Sequence, residues 1–491
     1  MTAELRLRTR RPRQRRRAAL AALAAALLAA GCASFDGLAT KALRIDPATL
    51  EASRALSGAP LSAAGWPAAN WWQRFGDPQL DALIGEALAG NPGMGSAHAR
   101  IDRARALAAG YGAALAPQAN AGANVTRQRY SGNGIFPPPI AGSWHTQTDI
   151  AATFGYELDL WGRNRAAYDA ALGQARAAEV DAYAARLLLA AGVARAYAQL
   201  SRSFDQIELA RAALKQRQAM FDLTRQRVAA GIDSEVELNQ AEGSIPAARQ
   251  RIVQLEEEIA LGRNLLAALA GRGPDRGLAV TRPQLQAQPV ALPSVLPADL
   301  LGRRPDVVAQ RWRVESARRD IDAAKGQFYP NLNLNALVGL QSVRFAKLLT
   351  AQSENPSLGP ALRLPLFDGG RLRANLAARD ADYDAAVEQY NQTLVDALHE
   401  VVDQLASIHS VDAQRIEVER ALAAARDAHA LVAERFRAGL SSYLQVLAAE
   451  APLLEQEFLR ASLRARALEL SINLIRALGG GFDDTGAAGA S

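Results

Sequence analysis

The sequence predicts a mainly α chain with a small transmembrane β part, built twice over. Three observations predict it. A run around residue 231 returns around residue 439 at an offset of 208. Four segments of about ten residues alternate apolar and polar side chains, the length of a membrane-spanning strand. Two very long stretches, 166–230 and 371–438, are rich in Ala and contain no proline, as continuous helices require.

The first 31 residues read as a secretory signal peptide. They hold eight arginines and one acid, then the 13-residue apolar run Ala18–Ala30, too short to span a bilayer. Their charge of +7 exceeds the +6 of the whole chain and leaves the remainder at −1. The basic balance therefore belongs to the leader, and nucleic acid is not implied as a partner. Cys32, the sole cysteine, follows Ala29-Ala30-Gly31 in a pattern that resembles a bacterial lipobox. Ala29 stands where a large aliphatic residue is usual, with Leu28 one place back. A lone cysteine forms neither an intrachain disulfide nor a thiolate cluster, so Cys32 is expected to carry a covalent lipid. No other cofactor is expected.

The duplication sets the organisation. Gln226-Arg227-Val-Ala-Ala-Gly231-Ile-Asp-Ser234 answers to Glu434-Arg435-Phe-Arg-Ala-Gly439-Leu-Ser-Ser442. Gly162-Arg163 answers to Gly370-Arg371, and Ala241-Glu242 to Ala449-Glu450. The expected order is an N-terminal segment with the first equatorial helices (32–117), a strand pair (118–160) and a long helical hairpin (161–271). A linker with the second equatorial helix (272–328), a second strand pair (329–368) and a second hairpin (369–479) follow. Residues 480–491 read as a flexible tail.

The strand rows are explicit. Ala119, Ala121, Ala123 and Val125 oppose Asn120, Asn124 and Thr126. Ile150 to Leu158 alternates against Asp149, Thr153, Glu157 and Asp159, and Leu332 to Leu340 against Asn331, Asn333 and Asn335. Leu358, Leu362, Leu364 and Leu366 make the last row. Four strands cannot close a barrel in lipid, so other copies must complete the sheet. Two, three or four copies all give an even strand count.

The helices carry near-heptad seams. Ile252, Leu255, Ile259, Gly262, Leu266 and Leu269 form one. Tyr383, Val387, Tyr390, Leu394, Leu398, Val401, Leu405 and Ile408 form another, with one extra step of four that relaxes the supercoil. Each long helix would measure roughly 100 Å at 1.5 Å per residue. Pro246 and Pro452, within the return helices, are expected to kink them. At the hairpin turns Gly231 and Gly439 permit positive φ, Arg227 and Arg435 suit helix C-termini, and Ser234 and Ser442 suit the next N-caps.

An enzyme is disfavoured. His98, His145, His399, His409 and His429 show no metal-ligand spacing, and no Gly-x-Ser-x-Gly or phosphate loop is present. No catalytic or metal-binding residue is expected.

Three motifs carry a family resemblance. Trp71-Trp72-Gln73-Arg74-Phe75-Gly76-Asp77-Pro78-Gln79-Leu80-Asp81-Ala82-Leu83-Ile84, then Ala87-Leu88 and Asn91, is one. Tyr156-Glu157-Leu158-Asp159-Leu160-Trp161-Gly162-Arg163-Asn164-Arg165 is the second. Leu292-Pro293, Leu296-Pro297 and Arg303-Arg304-Pro305-Asp306-Val307 make the third. Together they resemble TolC-type outer-membrane factors, in particular the lipoprotein branch serving resistance-nodulation-division pumps, from Cys32 to about Gly479. The resemblance implies a homotrimer, with a 12-stranded β-barrel in the outer membrane continuous with a long α-helical coiled-coil barrel in the periplasm. It implies a periplasmic adaptor docked at the Arg-x-x-x-Gly turns and an inner-membrane pump as energy source. The adaptor-contact residues would be Arg227, Gly231, Ser234, Arg435, Gly439 and Ser442. The implied function is a passive exit duct for small molecules. Protein export through a type I secretion system is the alternative, and a structural periplasmic coiled-coil lipoprotein a third reading. Family members often carry pore-constricting Asp residues past the second turn. Here Gln445 and Ala448 stand there, so Glu237, the first-half equivalent of Gln445, is the charged constriction candidate.

Overall fold

The computed structural model describes residues 35–52, 54, 61–62, 66–286, 292–293 and 300–484. The leader, Cys32 and Leu296-Pro297 lie outside the described residues. The long strands are β1 (Gln118–Arg129), β2 (Trp144–Leu158), β3 (Asn331–Ser342) and β4 (Ser357–Arg363), beside a short parallel pairing of Leu61–Ser62 with Leu292–Pro293. The helices are α1 (Pro78–Gly90), α2 (Pro92–Ala113), α3 (Arg163–Ala229), α4 (Glu235–Leu269), α5 (Pro305–Gly326), α6 (Arg371–Arg437) and α7 (Tyr443–Ala477).

The repeat is literal in the helices. α3 and α6 each have 67 residues, and α4 and α7 each have 35. Both seams are buried where they were read: Leu255 and Leu266 are fully enclosed, as are Val387, Leu394 and Val401. α4 and α7 continue as helix through Pro246 and Pro452, without the amide bond that a proline cannot donate.

The chain divides into two compact units that do not follow the duplication; each draws on both halves. The first holds the sheet, with Asp102–Arg176, Arg311–Gln389 and the chain up to Arg44. Its strands are ordered β1-β2-β3-β4, every pair antiparallel. The four apolar rows fall in register on one face: Ala119, Phe154, Ala336 and Leu358 stand side by side, as do Leu158, Leu332 and Leu362. The other face carries Asn120 beside Thr153, Asn124 beside Asp149 and Gln341, and Glu157 beside Asn333. Leu364 and Leu366 fall outside the ladder, because β4 stops at Arg363 before Pro365, which has no amide to donate.

The second unit comprises Ile45–Ile101, Ala177–Gln310 and the chain from Tyr390 onward. Its main core joins Trp71, Trp72, Phe75, Leu80 and Ile84 to Tyr197, Leu200, Leu255 and Ile475. Asp77 organises it. The Asp77 carboxylate caps α1 by accepting from the Gln79 amide at 2.9 Å, and also accepts from the Tyr197 hydroxyl at 2.8 Å and the Gln284 amide at 2.7 Å. Burial pushes the Tyr197 hydroxyl well above its usual range, so it stays a donor. The Trp-Trp-to-Ile motif is thus a packing and capping device. Arg304 does similar work: it pairs with Asp306 (2.6 Å) and Glu400 (2.9 Å) and donates to the Ala477 carbonyl at 3.1 Å, tying the start of α5 and the end of α7 to the middle of α6. The start of the presumed flexible tail is packed instead. Phe482 is buried against Tyr183, and Asp483 pairs with Arg303 at 3.0 Å.

Candidate functional site: the helical turns and the open-edged sheet

Both hairpin turns close the same way. Gly231 (φ 72°) donates to the Val228 carbonyl and Ile232 to the Arg227 carbonyl, each at 2.9 Å. Gly439 (φ 79°) donates to Phe436 at 3.0 Å and Leu440 to Arg435 at 2.8 Å. These are paired Schellman closures, which need the left-handed residue that glycine supplies without strain. They leave Ile232 and Leu440 exposed, and one helical turn on Val236 and Leu444 as well.

The helix starts differ. Ser234 caps α4 in a full capping box: its hydroxyl accepts from the Val236 amide at 3.2 Å, and the Glu237 carboxylate reaches back to the Ser234 amide at 3.0 Å. The Ser234 hydroxyl also donates to the Glu237 carboxylate, and that bond together with the backbone amides holds the Glu237 carboxyl below its usual range. Ser442 makes no side-chain cap, contrary to the sequence reading. The start of α7 is held instead by Tyr443, 1% exposed, whose hydroxyl lies 3.2 Å from Ser244 Oγ. Gln445 is exposed one turn along.

Arg227 and Arg435 occupy equivalent positions and have opposite fates. Arg227 is buried. Its Nε and Nη2 pair with Asp233 at 2.7 and 2.9 Å, its Nη1 donates to the Phe436 carbonyl, and its guanidinium lies 4.3 Å from the Phe436 ring centre. The bonds to Asp233 raise its pKa further. Arg227 therefore cannot present its charge to a partner; it clamps the first turn to the second hairpin. The repeat partner of Asp233 is Ser441, which offers no carboxylate, and Arg435 stays exposed. Phe436, Tyr443, Val446, Met220 and Ala241 form the core beneath. Further along, Arg217 pairs with the buried Glu450 at 3.1 Å and donates to the Ser244 carbonyl at 3.2 Å. The sequence reading missed Asp233, Arg217, Glu450 and Tyr443; the Asp233-for-Ser441 mismatch between the repeats was the available signal.

The sheet is open at both edges, β1 and β4 each having a single neighbour. Its apolar face is bare: Val125, Val338, Leu358 and Leu362 are 63–85% exposed. At the end from which the chain enters the helices, Trp161 stacks on Tyr329 (ring centres 4.7 Å apart) and donates to the Pro330 carbonyl at 2.8 Å. Arg163 pairs with Glu157 there at 2.7 Å.

The N-terminal strap runs along α6. Phe35 packs edge-on against Phe328, ring centres 5.1 Å apart. The Lys41 and Ala42 amides donate to Asp384 at 2.8 and 2.9 Å, and the Ile45 amide to Asn391 at 2.9 Å.

Among the described residues, no helix is long and apolar enough to cross a membrane, and no group of three or more His, Cys, Asp or Glu could hold a metal ion. The family model described as "Outer membrane efflux protein" matches residues 83–272 and 296–480. The chain is 42% identical over 369 residues to the Fusaric acid resistance protein FusA of Burkholderia cepacia, covering 74% of this chain and 69% of that one. It is 34% identical over 447 residues to the Multidrug resistance outer membrane protein MdtP of Escherichia coli K12, covering 86% and 88%. Among solved structures, the outer membrane protein VceC of Vibrio cholerae superposes with a TM-score of 0.80 at 37% identity, over 85% of this chain and all of that one. CusC superposes at 0.78 with 26% identity, over 90% and 100%. With a duplicated fold, an amphipathic open sheet and paired helical hairpins, the chain belongs to the outer membrane efflux protein family.

Proposed function

We propose that this outer-membrane efflux channel works as a homotrimer, three sheets closing one 12-stranded barrel. In this reading it is a passive exit duct for small molecules handed over by a periplasmic adaptor and an inner-membrane resistance-nodulation-division pump. The open sheet carries the reading. Its strands alternate direction, so β4 of one copy meets β1 of the next antiparallel, and a ring of whole sheets closes without a mismatch. Bare apolar rows suit lipid, and the Asn, Thr and Gln rows suit a water-filled lumen. The pump supplies the energy; the chain itself needs no cofactor and no catalytic residue. Relatives named for fusaric acid resistance and multidrug resistance support small molecules as cargo.

The turns are the proposed adaptor-facing tips. Arg435, Gly231, Gly439, Ser234 and Ser442 remain in that surface, joined by the exposed Ile232 and Leu440; Arg227 stands behind it. Glu237 remains the proposed acidic ring, with Gln445 its uncharged counterpart. Lipidation of Cys32 also fits the strap. Cys32 precedes Phe35 by three residues in sequence, and Phe35 packs on the segment that enters β3. A lipid there would sit at the helix-side end of the sheet, beside the Trp161 and Tyr329 rings that suit a membrane interface.

Planar-bilayer recording of the purified full-length chain tests the reading. Discrete conductance steps, with restored drug tolerance in a host lacking its own outer-membrane channel, are expected. Absence of both would overturn it.

A further inference from the structure

The two ends of the sheet differ in charge. The loop end, residues 126–146 and 342–357, carries Arg127, Arg129, Arg344 and Lys347 against one acid, Glu354. None of these four cations makes an ion pair among the described residues. Arg129 Nε donates to the Gly142 carbonyl at 3.3 Å, and no side-chain bond holds Arg127 or Arg344.

Their placement follows from register. Arg127 stands opposite Thr146 and Arg129 opposite Trp144. They lie two and four residues beyond Val125, and therefore on the apolar, outward face rather than the polar one. Ser342 pairs with Thr148, which pairs with Val125. Arg344 follows two residues later, just past the end of β3, where the Ser342 hydroxyl accepts from its amide at 3.2 Å, and so lies at the same loop end of the sheet. Trp144 and Phe345 are 62% and 76% exposed in the same region.

Cations directly above a bare apolar band suit neither hydrocarbon nor a lumen. They suit the boundary where a lipid presents its phosphates, because a guanidinium matches phosphate geometry with paired hydrogen bonds. We propose that this row binds the phosphate-bearing glycolipid of the outer leaflet. Arg127, Arg129 and Arg344 pair with its phosphates, and Trp144 and Phe345 lie along its acyl chains. The proposal rests on the barrel reading above, which puts the loop end outermost.

The test uses the full-length channel in zwitterionic detergent, titrated with bis-phosphorylated lipid A while thermal unfolding and lipid retention by native mass spectrometry are followed. Wild type should respond more strongly to bis- than to monophosphorylated lipid A, and not to phosphatidylethanolamine. Combining Arg127→Gln, Arg129→Gln and Arg344→Gln should weaken the response roughly fivefold per arginine. Arg344→Gln alone, in the loop, serves should the triple variant fold poorly. Arg363→Gln, on the polar face at the other end, should leave binding unchanged. A wild type that conducts, while wild type and arginine variants bind lipid A equally, overturns this proposal alone. A wild type that neither trimerises nor conducts overturns the channel reading beneath it.

Discussion

One side chain decides how the two turns differ. Asp233 and Ser441 are repeat partners, and only Asp233 can hold an arginine. Arg227→Ala would leave the Asp233 carboxylate, 7% exposed, without its cation. Losing one member of such a pair costs about 3–5 kcal/mol. Chemical denaturation should show that loss, with detergent-purified protein unfolding at lower denaturant concentration. Arg435→Glu should leave stability within about 0.5 kcal/mol yet abolish adaptor crosslinking in cells; intact crosslinking would remove Arg435 from the tip surface. Glu237→Gln separates two roles, since Gln at the third helical position preserves the capping box. Unchanged stability with reduced cation selectivity is the expected result, and unchanged selectivity would leave Glu237 as a cap only. The turn glycines and Ser234 were legible from local chemistry. The burial of Arg227 was signalled only by the Asp233-for-Ser441 mismatch, because the carbonyl and ring that complete its pocket belong to Phe436, 209 residues away in sequence.

At the scale of elements, periodicity carried most of the information. Alternation placed three rows and the first half of the fourth because each strand has one bare apolar face, and heptad steps placed both seams because helix packing enforces them. What failed was local competition: Pro365 ended β4 early, and Phe482 packs the start of the tail, as far as it is described, into the core. Nothing in the sequence pattern announced the strap, whose hold is backbone amides on Asp384 and Asn391. Asp384→Ala should release it, exposing the 35–45 segment to limited proteolysis while the sheet persists; equal cleavage in wild type and variant would contradict the assignment. The Arg304 clamp adds a pH dependence. Burial alone would raise the Asp306 pKa, but the bonds and charge of Arg304 outweigh it and hold it below the ordinary value of about 3.9. A carboxylate depressed in the folded state contributes stability above its unfolded pKa and loses it as pH falls through the folded one. Asp306→Asn should therefore flatten the loss of thermal stability below about pH 4.

For the whole molecule, a single chain leaves two sheet edges unpaired and an apolar face bare; further copies remove the edges, and the apolar face suits lipid. The sequence made closure necessary, since four strands fall short of a barrel, but left the number of copies open. The proposed three follows from family membership. A disulfide scan across the proposed junction tests this most directly. Cysteines placed at Asn120, Gly122 or Asn124 of β1 would be paired with cysteines at Ser357, Gly359 or Ala361 of β4 in the same chain. The account predicts that at least one pair yields a covalent ladder ending at the trimer on non-reducing gels. A scan that yields only monomers, or a ladder that ends at another number, would contradict it.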